Sequence, residues 1–205
     1  MLKKWRRNWQ KKRLKDPSFQ FLFETPPDED LVCFDCETSG LNPKKDVLIS
    51  LSAVKIRGQS ILTSQALNLT FSQAQPISEA SIKVHMIRNQ DTLTGLPPQQ
   101  AIQQFLQFIG SRPLVGYYLE FDVAMVNQVI RPWLGIQLPN PQIEVSELYY
   151  DLKFSQQSHA IPQPAINLSF QTILDDLKIP NFGQHDAFND ALMTALVYLK
   201  LTQLK

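Results

Sequence analysis

The chain has 205 residues, 43% of them apolar, with 20 basic and 19 acidic side chains and a formal net charge of +1. This size and composition fit one globular domain with a sizeable core and an appendage. No stretch approaches the roughly 18 apolar residues of a membrane span, and the basic start leads into no apolar signal segment, so the expectation is a cytoplasmic protein without a membrane span.

The near-zero net charge hides an asymmetry. Residues 1–15 hold 8 of the 20 basic residues and no acid, which leaves the rest of the chain at −7. A basic arm on an acidic body is a candidate grip on a polyanion. The arm has helical character, with Trp5 and Trp9 one turn apart on one face. Three readings stand: the indoles dock on the body and leave the bases solvated; the arm binds nucleic-acid phosphates while the indoles stack on bases; or it meets a partner protein or an anionic membrane surface. Phe19, Phe21 and Phe23 follow at period two, and Pro26-Pro27-Asp28-Glu29-Asp30 interrupts the chain. The division is therefore a helical extension and linker over 1–29 and a body from about Asp30.

Residues 31–40 open as an apolar strand and end in a Thr-Ser-Gly turn, with Asp35 and Glu37 inside. Strand side chains alternate, so both acids share a face. At roughly 4 Å and an effective dielectric of about 20, the like-charge contact costs on the order of 4 kcal/mol. Either that face is solvated, or a cation or proton relieves the pair, and a hard divalent metal is the simplest reliever. Cys33 and Cys36 have Cys-x-x-Cys spacing. Three apart on a strand they face opposite sides, and no second ligand pair for zinc is evident, so they read as buried free thiols.

Residues 47–56 and 61–71 read as second and third strands, making an antiparallel meander with the first. Residues 81–88 hold His85. Apolar residues at 101, 102, 105, 106 and 109 form a helical stripe over 97–109. A short strand at 114–118 precedes a helix over 121–133. Asp122 opens that helix, either as an acid favoured by the helix dipole, worth about 0.3–1 kcal/mol, or for a chemical reason. Residues 149–154 are ambiguous, 155–167 read as a polar loop with Pro162 and Pro164, and helices are expected over 168–177 and 187–201. His185 lies just before the last helix. Asp186 reads as its cap, and Asp190 sits one turn inside, on an Ala- and Leu-rich face where an acid is unusual.

Taken together, Asp35-x-Glu37-Thr38, Gly116 with Phe121-Asp122, and His185 with Asp190-Ala191 resemble the three exonuclease motifs of the DEDD superfamily, in its histidine branch. That branch includes the proofreading epsilon subunits of bacterial replicative polymerases, ribonuclease T and oligoribonuclease. The resemblance spans about residues 31–200, and Val84-His85-Met86-Ile87 adds to it. It implies a ribonuclease H-like α/β fold: a five-stranded mixed sheet flanked by helices, with the exonuclease domain over 30–205. It implies two Mg²⁺ or Mn²⁺ ions held by Asp35, Glu37, Asp122 and Asp190, which clamp the attacking and leaving oxygens at phosphorus. His185 is then the general base, a role suited to imidazole's titration near neutrality.

The implied reaction is 3′–5′ hydrolysis of single-stranded ends to nucleoside 5′-monophosphates. Thr38, Leu41, His85 and Phe121 match positions near the terminal nucleotide, although His85 also reads as a core or loop histidine. Tyr117-Tyr118 and Met86 depart from the family pattern, which leaves substrate preference open. DNA is favoured slightly over RNA. An RNA-trimming enzyme of the same fold and a non-catalytic nucleic-acid- or polymerase-binding module are the alternatives. A DNA polymerase or other protein partner for the basic arm is a further expectation.

Overall fold

The computed structural model describes residues 2–157 and 165–204. Most of the loop expected over 155–167 therefore lies outside the described residues. In chain order the elements are α1 (Leu2–Arg13), β1 (Leu31–Thr38), β2 (Leu48–Arg57), β3 (Ser60–Ile61), β4 (Leu67–Thr70), α2 (Glu79–His85), α3 (Pro98–Ile109), β5 (Leu114–Gly116), α4 (Leu119–Leu134), β6 (Gln142–Glu144), α5 (Val145–Gln156), α6 (Phe170–Leu177) and α7 (Ala187–Gln203).

β1 is the central strand. β2 pairs with it antiparallel, Leu31 opposite Ile56 and Glu37 opposite Ser50. β5 and then β6 lie parallel on its other side. Both β3 and β4 pair antiparallel with the outer edge of β2. Among the described residues the mixed sheet thus has six strands in five positions. The single third strand expected over 61–71 is broken by a 3₁₀ turn at Thr63–Gln65. The expected meander and mixed sheet are otherwise present.

The period-two alternation of β1 feeds two cores. Val32, Phe34 and Cys36 face a layer built from α3, α4 and a 3₁₀ turn at Pro17–Phe23, with the Phe34 and Phe105 rings 4.9 Å apart. Cys33 belongs to the opposite core, against α5, α6 and α7, and by alternation Asp35 and Glu37 share its side. α7 lies across β1 and β2. Both cysteines are free and buried, as their strand positions require. The ambiguous residues 149–154 are helical, part of α5, because Glu144 caps that helix by accepting from Ser146 N at 3.0 Å.

The proline-acid linker is pinned rather than loose. Asp30 takes the Arg57 guanidinium at 2.8 and 2.7 Å, and Asp28 takes Arg112 at 2.7 and 2.5 Å. These hydrogen bonds hold both carboxyls below the usual range, against the opposing effect of burial. Arg112 is itself buried. Arg112→Ala should lower stability by about 2–3 kcal/mol, because it strands Asp28 beside a desolvated hole; urea unfolding would measure it.

α1 packs on the body, but not through its indoles: Trp5 and Trp9 are 67% and 46% exposed. The contacts are polar. Lys15 gives its N–H to Leu134 O at 3.0 Å and its Nζ to Pro132 O at 3.1 Å. The buried Gln10 accepts from Gln137 N–H at 2.9 Å, and Arg7 donates to Leu22 O and Glu24 O. Lys15 meets the end of α4, whose last carbonyls have no helical partner and attract donors and cations. Phe19, Leu22 and Phe23, by contrast, are buried in the 3₁₀ turn that follows the arm.

Candidate metal centre

The site forms where the C-terminal half of β1 meets the first turns of α7 and α4. Asp35 and Glu37 point toward α7. Asp190, the fourth residue of that helix, points back. Carboxylate oxygens of these three residues lie within 4.8 Å of one another. Glu37 is 7% exposed, while Asp35 and Asp190 are half-buried. Asp122, 4% exposed in the first turn of α4, stands beside them. It accepts from the Cys36 backbone N–H and thiol, and its charge acts on Asp35.

Such packing is hostile to four negative charges. Burial pushes the Asp35 carboxyl well above the usual range, and Asp122, Asp190 and Glu37 push it further. Burial, then the charges of Asp190 and Asp186, moves Glu37 from 4.5 to about 7. Asp122 is also raised well above the usual range by burial, with the Cys36 bonds pulling it partly back. Asp190 is raised by burial and lowered in part by the His185 backbone N–H. Among the described residues, Asp190 Oδ1 is buried with no hydrogen-bond partner. A cluster of hard oxygen donors with one acceptor unsatisfied fits Mg²⁺ or Mn²⁺, and the ion would supply the missing partner.

His185 lies at the rim. Its backbone is left-handed, φ 65°, and its N–H donates to Asp190 Oδ2 at 2.9 Å. That bond anchors the main chain of an exposed histidine next to Asp190. Asp186 caps α7 by accepting from Asn189 N at 2.9 Å, the role read from its position in the sequence.

The four positions matched to the terminal nucleotide differ in setting. Leu41 is 87% exposed at the turn after β1. Thr38 gives its hydroxyl to Gly40 O at 2.8 Å, which closes that turn. Phe121 is half-buried against the α3–α4 core. His85 is buried, and both ring nitrogens are used: Nδ1 accepts from Ile87 N–H at 3.0 Å, and Nε2 meets Ser81 Oγ at 2.9 Å. Ser81 in turn donates to Thr38 O at 3.2 Å. His85 therefore ties α2 to the end of β1, and burial keeps its pKa below the usual histidine value.

Two contributors escaped sequence reasoning. Cys36 donates its thiol to Asp122. Glu144 accepts from Leu119 N–H at 2.9 Å, which satisfies the N-terminus of the helix carrying Asp122. The signal for Glu144 was hidden because β6 is only three residues long, between Asn140-Pro141 and α5, too short for any periodicity.

Residues 32–198 match the exonuclease family RNase_T. The DNA polymerase III epsilon subunit of Aquifex aeolicus is 27% identical over 177 residues, covering 86% of this chain and 82% of that protein. The PolC-type DNA polymerase III of Thermotoga maritima is 25% identical over 177 residues, yet the chain spans only 12% of its length. Among solved structures, E. coli exonuclease I in complex with single-stranded DNA superposes with a TM-score of 0.70 at 13% identity, over 86% of this chain and 41% of that one. The fold is thus the ribonuclease H-like arrangement that the motifs imply, and the chain belongs to the exonuclease family, in the 3′–5′ exonuclease class.

Proposed function

We propose that this protein hydrolyses single-stranded nucleic acid from its 3′ end, releasing nucleoside 5′-monophosphates, with DNA as the favoured substrate. The observation that carries this reading is the convergence of Asp35, Glu37 and Asp190 to within 4.8 Å, with the protons or cations their burial demands.

In this reading Asp35, Glu37, Asp122 and Asp190 hold two divalent ions. When bound, these would neutralise charge at the reacting phosphate and assist both the attacking water and the leaving oxygen. The imidazole of His185 takes the proton from that water, which its rim position allows. Its backbone bond to Asp190 anchors the main chain that carries the ring. Glu144 and Cys36 hold Asp122: one stabilises the start of its helix, the other bonds its carboxylate. Leu41 presents an apolar side chain to a terminal base, and the hydroxyl bond of Thr38 shapes the turn that carries it.

The test is digestion of 5′-labelled DNA and RNA strands of equal sequence in Mg²⁺, Mn²⁺ or EDTA. A ladder shortening from the 3′ end, present with metal and absent in EDTA, is expected, and faster for DNA. Faster trimming of RNA would assign the same chemistry to an exoribonuclease. Absence of cleavage on either strand under every metal, by folded protein, would sink the reading.

A further inference from the structure

We propose that the groove between α1 and the far end of α4 is a second nucleic-acid site, which takes the phosphodiester backbone of a single strand and stacks a base on Trp9. The groove has a volume of about 500 Å³ and is lined by Trp9, Arg13, Lys15 and Arg131, among others. Among the described residues, no carboxylate lines it, and none of the ion pairs uses Arg13, Lys15 or Arg131. The carbonyls ending α4 offset these charges only in part, and a polyanion supplies the full counter-charge. The site carries 3 cations on a chain whose residues beyond 15 are net acidic.

Trp9 completes the chemistry. The Arg13 guanidinium lies over one face of its ring, 4.5 Å from the centroid, and Trp9 as a residue is still 46% exposed. A cationic track with an open aromatic ring is the sequence-tolerant way to hold a single strand. A duplex keeps its bases stacked internally and offers none to the indole.

The groove is built into the fold. Gly135 has φ 72°, and a Cβ there would lie 3.1 Å from Arg13 O and 3.2 Å from the Lys15 side chain. A side chain there would strain the left-handed backbone and press the arm outward by a few tenths of an ångström. Gln10 locks the other side through Gln137 N–H. Arg131 lies nine residues beyond Asp122 on α4, roughly 14 Å along the axis and about half a turn around it. A strand whose end sits at the carboxylates would need several further nucleotides to reach it, within the span of about 4–16 nucleotides that single-strand grooves cover. The inference concerns binding, and does not rest on cleavage.

The test uses the full chain carrying Asp35→Asn, in EDTA, where uncompensated carboxylates repel phosphate and residual binding reports the groove. The probe is a fluorescent oligothymidylate of about 15 nucleotides. Arg13→Gln with Arg131→Gln should weaken binding about tenfold, and reduce the slope of log affinity against log salt by about 1.4, since each single-strand phosphate contact contributes about 0.7. Trp9→Ala should also weaken it about tenfold and remove most of the quenching of tryptophan fluorescence. Lys200→Gln, at an exposed site on α7, should change little. Unchanged affinity and slope in a double variant that melts like the parent would overturn the proposal. So would binding to anionic lipid vesicles but not to the oligonucleotide, which would assign the groove to a membrane surface.

Discussion

Asp35→Asn should abolish strand trimming while making the metal-free protein more stable. The two effects share one cause. Asp35 sits among Asp122, Asp190 and Glu37, and burial together with their charges drives its carboxyl toward the protonated form. An amide of the same shape carries no charge, so it removes a repulsion that the fold otherwise carries at neutral pH. We expect a gain of about 1 kcal/mol in EDTA near pH 8, read by urea unfolding. Activity should fall by about 10³-fold or more, since one charged ligand at the reacting phosphate is lost. Opposite signs separate a functional acid from a structural one. A variant that trims within tenfold of the parent, or that is destabilised in EDTA, would refute the assignment of Asp35.

The metal-free protein should also lose stability as pH rises from 4.5 to about 7. Glu37 shows the sign. Its carboxyl titrates near 4.5 when unfolded and at about 7 when folded. Between those values the folded state binds more protons than the unfolded state, so stability falls with increasing pH. The contribution is fully present below 4.5 and lost once pH passes about 7, a change on the order of 3 kcal/mol. Asp35, Asp122 and Asp190 are raised too and add in the same direction. Thermal melting across this range in EDTA would show the slope, and Glu37→Gln should flatten it. Mn²⁺ at about 100 times its dissociation constant should restore about 2.7 kcal/mol at the high-pH end. A metal-free stability that rises with pH would remove the basis for a cation-dependent cluster.

The contrast between the two halves of the N-terminal arm shows how far local sequence carries. Its helix was legible from residue spacing. Its docking face was not. An indole pair one turn apart is the apolar choice for burial, yet Trp5 and Trp9 face solvent and Gln10 and Lys15 make the contacts. The reason is the partner surface: the α4 carbonyls that take Lys15 and the Gln137 N–H that Gln10 accepts belong to residues more than a hundred positions away. The third strand failed for a different reason. Thr63 suits a strand by propensity, but after Leu62 N–H makes its last bond to Lys55 O on β2, Gln65 and Ala66 turn their N–H groups back to Leu62 O and Thr63 O in a 3₁₀ turn.

By itself the sequence determined where the candidate site residues stand on their elements. Alternation placed Asp35 and Glu37 on one face, capping rules assigned Asp186, and helical spacing put Asp190 one turn into α7. These are local periodicities that any fold built from those elements must obey. The tertiary structure alone decided that α7 crosses β1 so that three carboxylates meet within 4.8 Å, that Glu144 and Cys36 hold Asp122, and that burial lifts Glu37 to about 7. It also decided that the arm closes a cationic groove against Gly135. Convergence depends on strand order and burial on the whole packed core, and neither is a property of any local stretch of chain.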